Sequence, residues 1–82
     1  MDLTKIAELL GLHPSVIDNY YEEWEFENNQ FAEEISFKGY LCNIFAEAAF
    51  LNEALENESN VMTCLEIYDE TYSIVEQILG DA

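Results

Sequence analysis

From Tyr40 to Leu55 the chain is broken by polar side chains at only four positions, Asn43, Glu47, Asn52 and Glu53. A helix apolar around nearly its whole circumference is stable in water only when other elements cover most of its sides. The segment therefore predicts a central helix, starting somewhere between Phe31 and Ser36 and ending near Glu56, with the remaining chain packed onto it. Its start has two readings. Ile35-Ser36-Phe37-Lys38 alternates as a strand does, and Gly39 weakens a helix at that point.

The rest of the chain also has helical periodicity. Leu3, Ile6, Ala7 and Leu10 form one apolar stripe, with Asp2 placed as an N-cap and Gly11 where a left-handed C-terminal residue is wanted. Pro14 stops that run, Ser15 and Asp18 have the spacing of a capping box, and Ile17, Tyr21 and Trp24 then share a face until Asn28-Asn29 marks a break. After a loop at Asn57-Glu58-Ser59-Asn60, a last stripe runs through Val61, Leu65, Tyr68, Tyr72, Val75 and Leu79 to Gly80. The expected architecture is all-α: a small bundle of about four helices around a central apolar helix, in a single domain over residues 1–82.

A domain of 82 residues buries only about 60% of the surface its unfolded chain exposes, so a partner or a second copy would add useful burial. If Leu41, Ile44, Phe45, Ala48, Leu51 and Leu55 form the core face of the third helix, Phe50 points the other way, between Glu47 and Glu53. It is then either an aromatic anchor inside an acidic rim or a residue covered by another helix or chain. A homodimer through the third helix is one way to provide that cover.

Charge narrows the function. Eighteen Asp and Glu face two Lys and no Arg, a formal net charge of -16. Displacing condensed counterions from a phosphate backbone takes several basic side chains, so direct nucleic-acid binding is not expected. Catalysis lacks material too. His13 is the single histidine, beside Pro14, and reads as a turn or cap residue; no nucleophile, base and orienter can be assembled around it. No Glu-x-x-His or EF-hand spacing is present, so neither a metal nor a cofactor is expected. The half-apolar composition with eleven aromatic residues (five Phe, five Tyr, Trp24) excludes a disordered acidic tail. Cys42 and Cys64 read as reduced, buried thiols. With no apolar membrane span and no signal-peptide pattern after Met1, the expected location is the cytoplasm of a bacterium or phage-infected cell.

Residues 3–24 resemble the helix-turn-helix of bacterial repressors and recombinases, with Ala7, Gly11 and Ile17 at the positions of the first-helix alanine, the turn glycine and the buried aliphatic of the second helix. The resemblance implies a DNA-reading second helix. That helix instead carries Asp18, Glu22, Glu23 and Glu25, which a duplex repels. The corner is therefore either a packing module or a helix-turn-helix geometry with inverted electrostatics.

With Glu27, Glu33 and Glu34, residues 18–34 hold seven carboxylates and no base. Like charges at i, i+4 spacing destabilise a helix, and a chain shaped for stability alone would intersperse lysines. The row is either a solvated face that keeps the protein soluble or a wanted surface. Fixed carboxylates a few ångströms apart attract a Lys/Arg-lined groove. In size and charge the chain is similar to the small DNA-mimicking inhibitors that phages and mobile elements use against restriction enzymes, CRISPR effectors, glycosylases or nucleoid proteins. The expected function is non-enzymatic occupation of a basic nucleic-acid-binding surface on another protein. Asp18, Glu22, Glu23, Glu25, Glu27, Glu33 and Glu34 would replace phosphates, with Tyr20, Trp24, Phe26 and Phe50 adding apolar anchoring. The alternative is a small regulatory adaptor, antitoxin or immunity protein that recognises its partner through shape and apolar contacts.

Overall fold

The computed structural model describes residues 2–31 and 35–80, which form four helices: α1 (Leu3–Leu10), α2 (Pro14–Phe31), α3 (Phe37–Glu56) and α4 (Val61–Leu79). No strand occurs among the described residues. Each helix begins where a side chain satisfies one of the N–H groups that a first turn leaves unpaired. Asp2 accepts from the Lys5 amide (3.1 Å), Ser36 Oγ from the Gly39 amide (3.1 Å) and Asn60 Oδ1 from the Thr63 amide (2.9 Å).

At α2 the cap differs from the expected capping box. His13, not Ser15, is the cap: its Nδ1 accepts from the Ser15 amide (3.1 Å) and lies 2.8 Å from Ser15 Oγ. Pro14 occupies the first helical position, where a missing N–H costs nothing. The role of His13 as a cap residue is as the sequence suggested.

Two further boundaries move. Asn28-Asn29 does not break α2, which continues to Phe31. Asn28 Nδ2 instead donates to the Ile35 carbonyl (3.2 Å), which also accepts from Trp24 Nε1 (2.6 Å), so the chain entering α3 is tied back onto α2. The strand-like alternation of Ile35-Ser36-Phe37-Lys38 belongs to a helix start: Ser36 is the N-cap and Phe37 opens α3. Gly39 makes that start fit. A Cβ there would sit 3.1 Å from Ser36 Oγ and 3.7 Å from the Tyr72 hydroxyl.

α3 and α4 form an antiparallel hairpin with the most extensive helix–helix contact in the protein. α1 and α2 make a corner at Gly11, whose φ of 68° is the left-handed conformation glycine adopts freely. That corner covers one end of the hairpin, α1 against α4 and α2 against α3. The core lies there: Ile6, Ala7, Ile17, Phe37, Leu41, Cys42, Val75 and Leu79 are buried, with Tyr21, Trp24 and Tyr72 packed against them. Phe37 is fully buried, with ring centroids 5.2 Å from Tyr21 and 5.7 Å from Trp24. Ala7, Gly11 and Ile17, which carry the helix-turn-helix resemblance, thus hold the corner together.

The expected core face of α3 is covered only at its beginning. Leu41 is buried and Ile44 and Phe45 are half-buried, but Ala48, Leu51 (55% exposed) and Leu55 (77% exposed) face outward, while Phe50 is half-buried. The reason is geometric. The side of α3 that meets α2 near Phe37 and Leu41 runs on past the reach of the corner. Farther along, only α4 packs on α3, on the side that carries the buried Ala46. The α4 stripe behaves alike. Val75 and Leu79 are buried near the corner, whereas Val61, Met62 and Leu65 are exposed at the free end. Cys42 and Cys64 are both free and buried, and burial, aided by the charge of Glu76, pushes the Cys42 thiol up from its ordinary pKa. Among the described residues no helix is long and apolar enough to cross a membrane.

Candidate functional site

The outward side of α2 follows from its core side. Ile17 is buried and Tyr20, Tyr21 and Trp24 are half-buried, all turned toward the corner's interior. At about 100° per residue, the opposite side must then carry Asp18, Glu22 and Glu25, and all three are exposed. Glu23 and Glu27, also exposed, lie on the flank nearer α3, and Phe26, 64% exposed, sits between the two acidic rows. An exposed phenyl ring within an arc of carboxylates is a surface that can hold a cationic partner and give it an apolar footing.

The charge density of this surface can be compared with a nucleic acid. Asp18 to Glu27 spans nine helical steps, about 13.5 Å at about 1.5 Å per residue, and carries five carboxylates with no base. That is one charge per about 2.7 Å, against about 1.7 Å of axis per charge for duplex DNA. The helix therefore comes within a factor of two of the charge density a DNA-binding groove meets.

The structure separates the aromatic residues considered as anchors. Phe26 stands free on the acidic surface. Trp24 gives its indole N–H to the Ile35 carbonyl and packs at a centroid distance of 5.3 Å from Tyr21, so it builds the α2–α3 junction. Tyr20 packs against the core cluster, and Phe50 lies half-buried on α3, away from α2 in sequence and on another helix. Glu33 and Glu34 lie outside the described residues.

A feature absent from the sequence reading adjoins the acidic helix. Where α2, α3 and α4 converge, Tyr40, Tyr68 and Tyr72 line an open groove of about 490 Å³ together with Glu27, Asn43 and Ile35. The Tyr40 hydroxyl donates to Glu23 Oε2 (3.4 Å). The Tyr68 hydroxyl donates to Asn43 Oδ1, and Asn43 Nδ2 donates to Glu47 Oε1 (3.2 Å). The Tyr68 and Tyr72 rings stack with centroids 6.3 Å apart. Burial, then the charges of Glu27 and Glu23 and the hydrogen bond to Glu23, pushes the Tyr40 phenol up to about 12. Burial, followed by the charges of Glu47 and Asp69 among its neighbours, raises Tyr68 as well. These phenols stay neutral in a negative field. The sequence signal was Tyr68 and Tyr72 at i, i+4 on α4, which reads equally well as core stripe.

Among the described residues no three His, Cys, Asp or Glu side chains converge closely enough to hold a metal ion. The sequence matches no protein-family model, and comparison with curated proteins and with solved structures found no match.

Proposed function

We propose that the protein is a non-enzymatic acidic inhibitor that occupies the basic nucleic-acid-binding surface of another protein by imitating DNA, in the manner of phage or mobile-element anti-restriction and anti-CRISPR proteins. The observation that carries this reading is the outward side of α2: five exposed carboxylates without a base, at a density approaching that of a duplex, arranged around the exposed Phe26. Such a surface speeds encounter with a Lys/Arg-lined groove and makes association depend on ionic strength. The test is displacement of labelled duplex DNA from a panel of DNA-binding proteins: a restriction enzyme, a CRISPR effector, a DNA glycosylase and a nucleoid protein. At low salt at least one should lose its DNA to this protein, with the effect falling steeply toward moderate salt. Replacing Asp18→Lys, Glu22→Lys and Glu25→Lys together should abolish it. Inhibition that survives this triple reversal with the same salt dependence refutes the assignment of this surface.

A second reading has its own observation. Leu51, Leu55, Val61, Met62 and Leu65 are all exposed near the free end of the α3–α4 hairpin, and apolar side chains left bare in this way suit a regulatory adaptor, antitoxin or immunity protein that binds by shape and apolar contact. Recognition of that kind barely responds to salt, which separates the two readings. The same apolar face supports a homodimer through α3, with Leu51 and Leu55 at its centre. Sedimentation that shows only monomer at high micromolar concentration removes the dimer.

A further inference from the structure

Tyr40 and Tyr72 pack against the core and also line, with Tyr68, an open groove where α2, α3 and α4 meet. Three tyrosines line it, Glu27 is the carboxylate in its lining, and it is open to solvent. From these features we infer that the groove is a receptor for a guanidinium group, taking one arginine side chain of the basic partner between the rings of Tyr40, Tyr68 and Tyr72, with Glu27 at its mouth. The inference rests on the reading of the partner as a basic protein, and it names where that partner is gripped.

Three physical points converge. Aromatic faces attract cations through their quadrupole, most effectively where a cation sits within about 6 Å of a ring centroid. Two of the rings here, Tyr68 and Tyr72, stack with centroids 6.3 Å apart on one helix, and Tyr40 lines the same groove from α3. The field is negative from every side. Glu23 and Glu27 act on Tyr40 from α2, Glu47 acts on Tyr68 from α3, and Asp69 does so from α4. Finally, two of the phenol hydroxyls are already donated, Tyr40 to Glu23 and Tyr68 to Asn43, which holds those two rings in place before any ligand arrives. The planar guanidinium suits this site better than an ammonium, because it can stack on a ring and direct a fork of N–H donors at a carboxylate.

Gly39 also lines the groove. A methyl group there would stand 3.7 Å from the Tyr72 hydroxyl and 3.1 Å from Ser36 Oγ.

The test uses the whole protein and a small probe. N-acetyl-arginine amide is titrated while the tyrosine ring resonances are followed by NMR, with the citrulline analogue as a neutral isostere. The arginine probe should shift the ring signals of Tyr40, Tyr68 and Tyr72 saturably in the millimolar range, and the citrulline probe should not. Glu27→Gln, at an exposed position where folding is undisturbed, should weaken binding about threefold or more, and Glu23→Gln should act in the same direction. Glu8→Gln, on α1 away from the groove, should leave it unchanged. Equal shifts with citrulline, shifts spread over all acidic surfaces, or an unaltered affinity in Glu27→Gln would overturn the assignment. Because no partner protein enters this assay, its failure is distinct from failure of the charge-reversal test on α2.

Discussion

Replacing Phe37 by alanine should cost about 3–5 kcal/mol of folding stability. The ring is 0% exposed and lies against Tyr21, Trp24 and Tyr40, with centroid separations of 5.2, 5.7 and 6.4 Å. An aromatic side chain buries about 150–250 Å², worth roughly 4–6 kcal/mol at about 25 cal/mol per Å², an upper figure because the unfolded chain already hides part of that area. Alanine keeps a little of it and leaves a cavity where α2 meets α3. Set against a total of roughly 4–12 kcal/mol for a chain of 82 residues, the loss removes much or all of the margin. Phe37→Leu, which keeps most of the apolar volume, should lose about 1–2 kcal/mol and remain folded. Trp24, the one tryptophan and a direct neighbour of Phe37, reports the transition by fluorescence during urea unfolding. A loss below about 1 kcal/mol in Phe37→Ala, with the denaturant slope unchanged, would place this ring outside the core and refute the packing described for the corner.

Two other predictions concern titration and capping. Tyr40 should ionise late, near 12 instead of 10.0; because the folded pKa lies above the unfolded one, the stability it contributes is fully present below about pH 10 and lost as pH rises through about 12. The tyrosinate absorbance titration of Tyr40→Phe should lack that late phase, and a wild-type titration complete near 10 would contradict the groove geometry. Asp2→Ala and Asn60→Ala should each lower stability by about 1 kcal/mol in thermal unfolding, whereas Ser15→Ala should cost less, because His13 supplies the α2 cap. A Ser15→Ala loss as large as the other two would restore the capping box.

Much of the local structure was legible because it depends on neighbours in sequence. The Asp2 cap, the Gly11 turn, the Asn57–Asn60 loop and the Gly80 terminus all arise from hydrogen bonds or backbone conformations within a few residues. The acidic row was legible for the same reason. Once Ile17, Tyr21 and Trp24 define the inward side of α2, helical geometry alone sends Asp18, Glu22 and Glu25 outward. The α2–α3 boundary was harder: Asn28-Asn29 looked like punctuation, yet Asn28 and Trp24 find an acceptor at Ile35 that exists only when the chain has doubled back.

The sequence by itself determined four helices, one of them apolar nearly all round, their order and the sign of their surface. Periodicity, caps and side-chain charge are properties of contiguous residues, and no long-range contact can change them. Only the tertiary structure decided how far the α1–α2 corner reaches along the hairpin. That reach buries Phe37 and Leu41 and leaves Leu51 and Leu55 bare on the same side of one helix. It also brought Tyr40 of α3 and Tyr68 and Tyr72 of α4 into one groove beside Glu27 of α2. Apolar pattern states which residues seek cover; the lengths and crossing of the packed helices state which of them receive it.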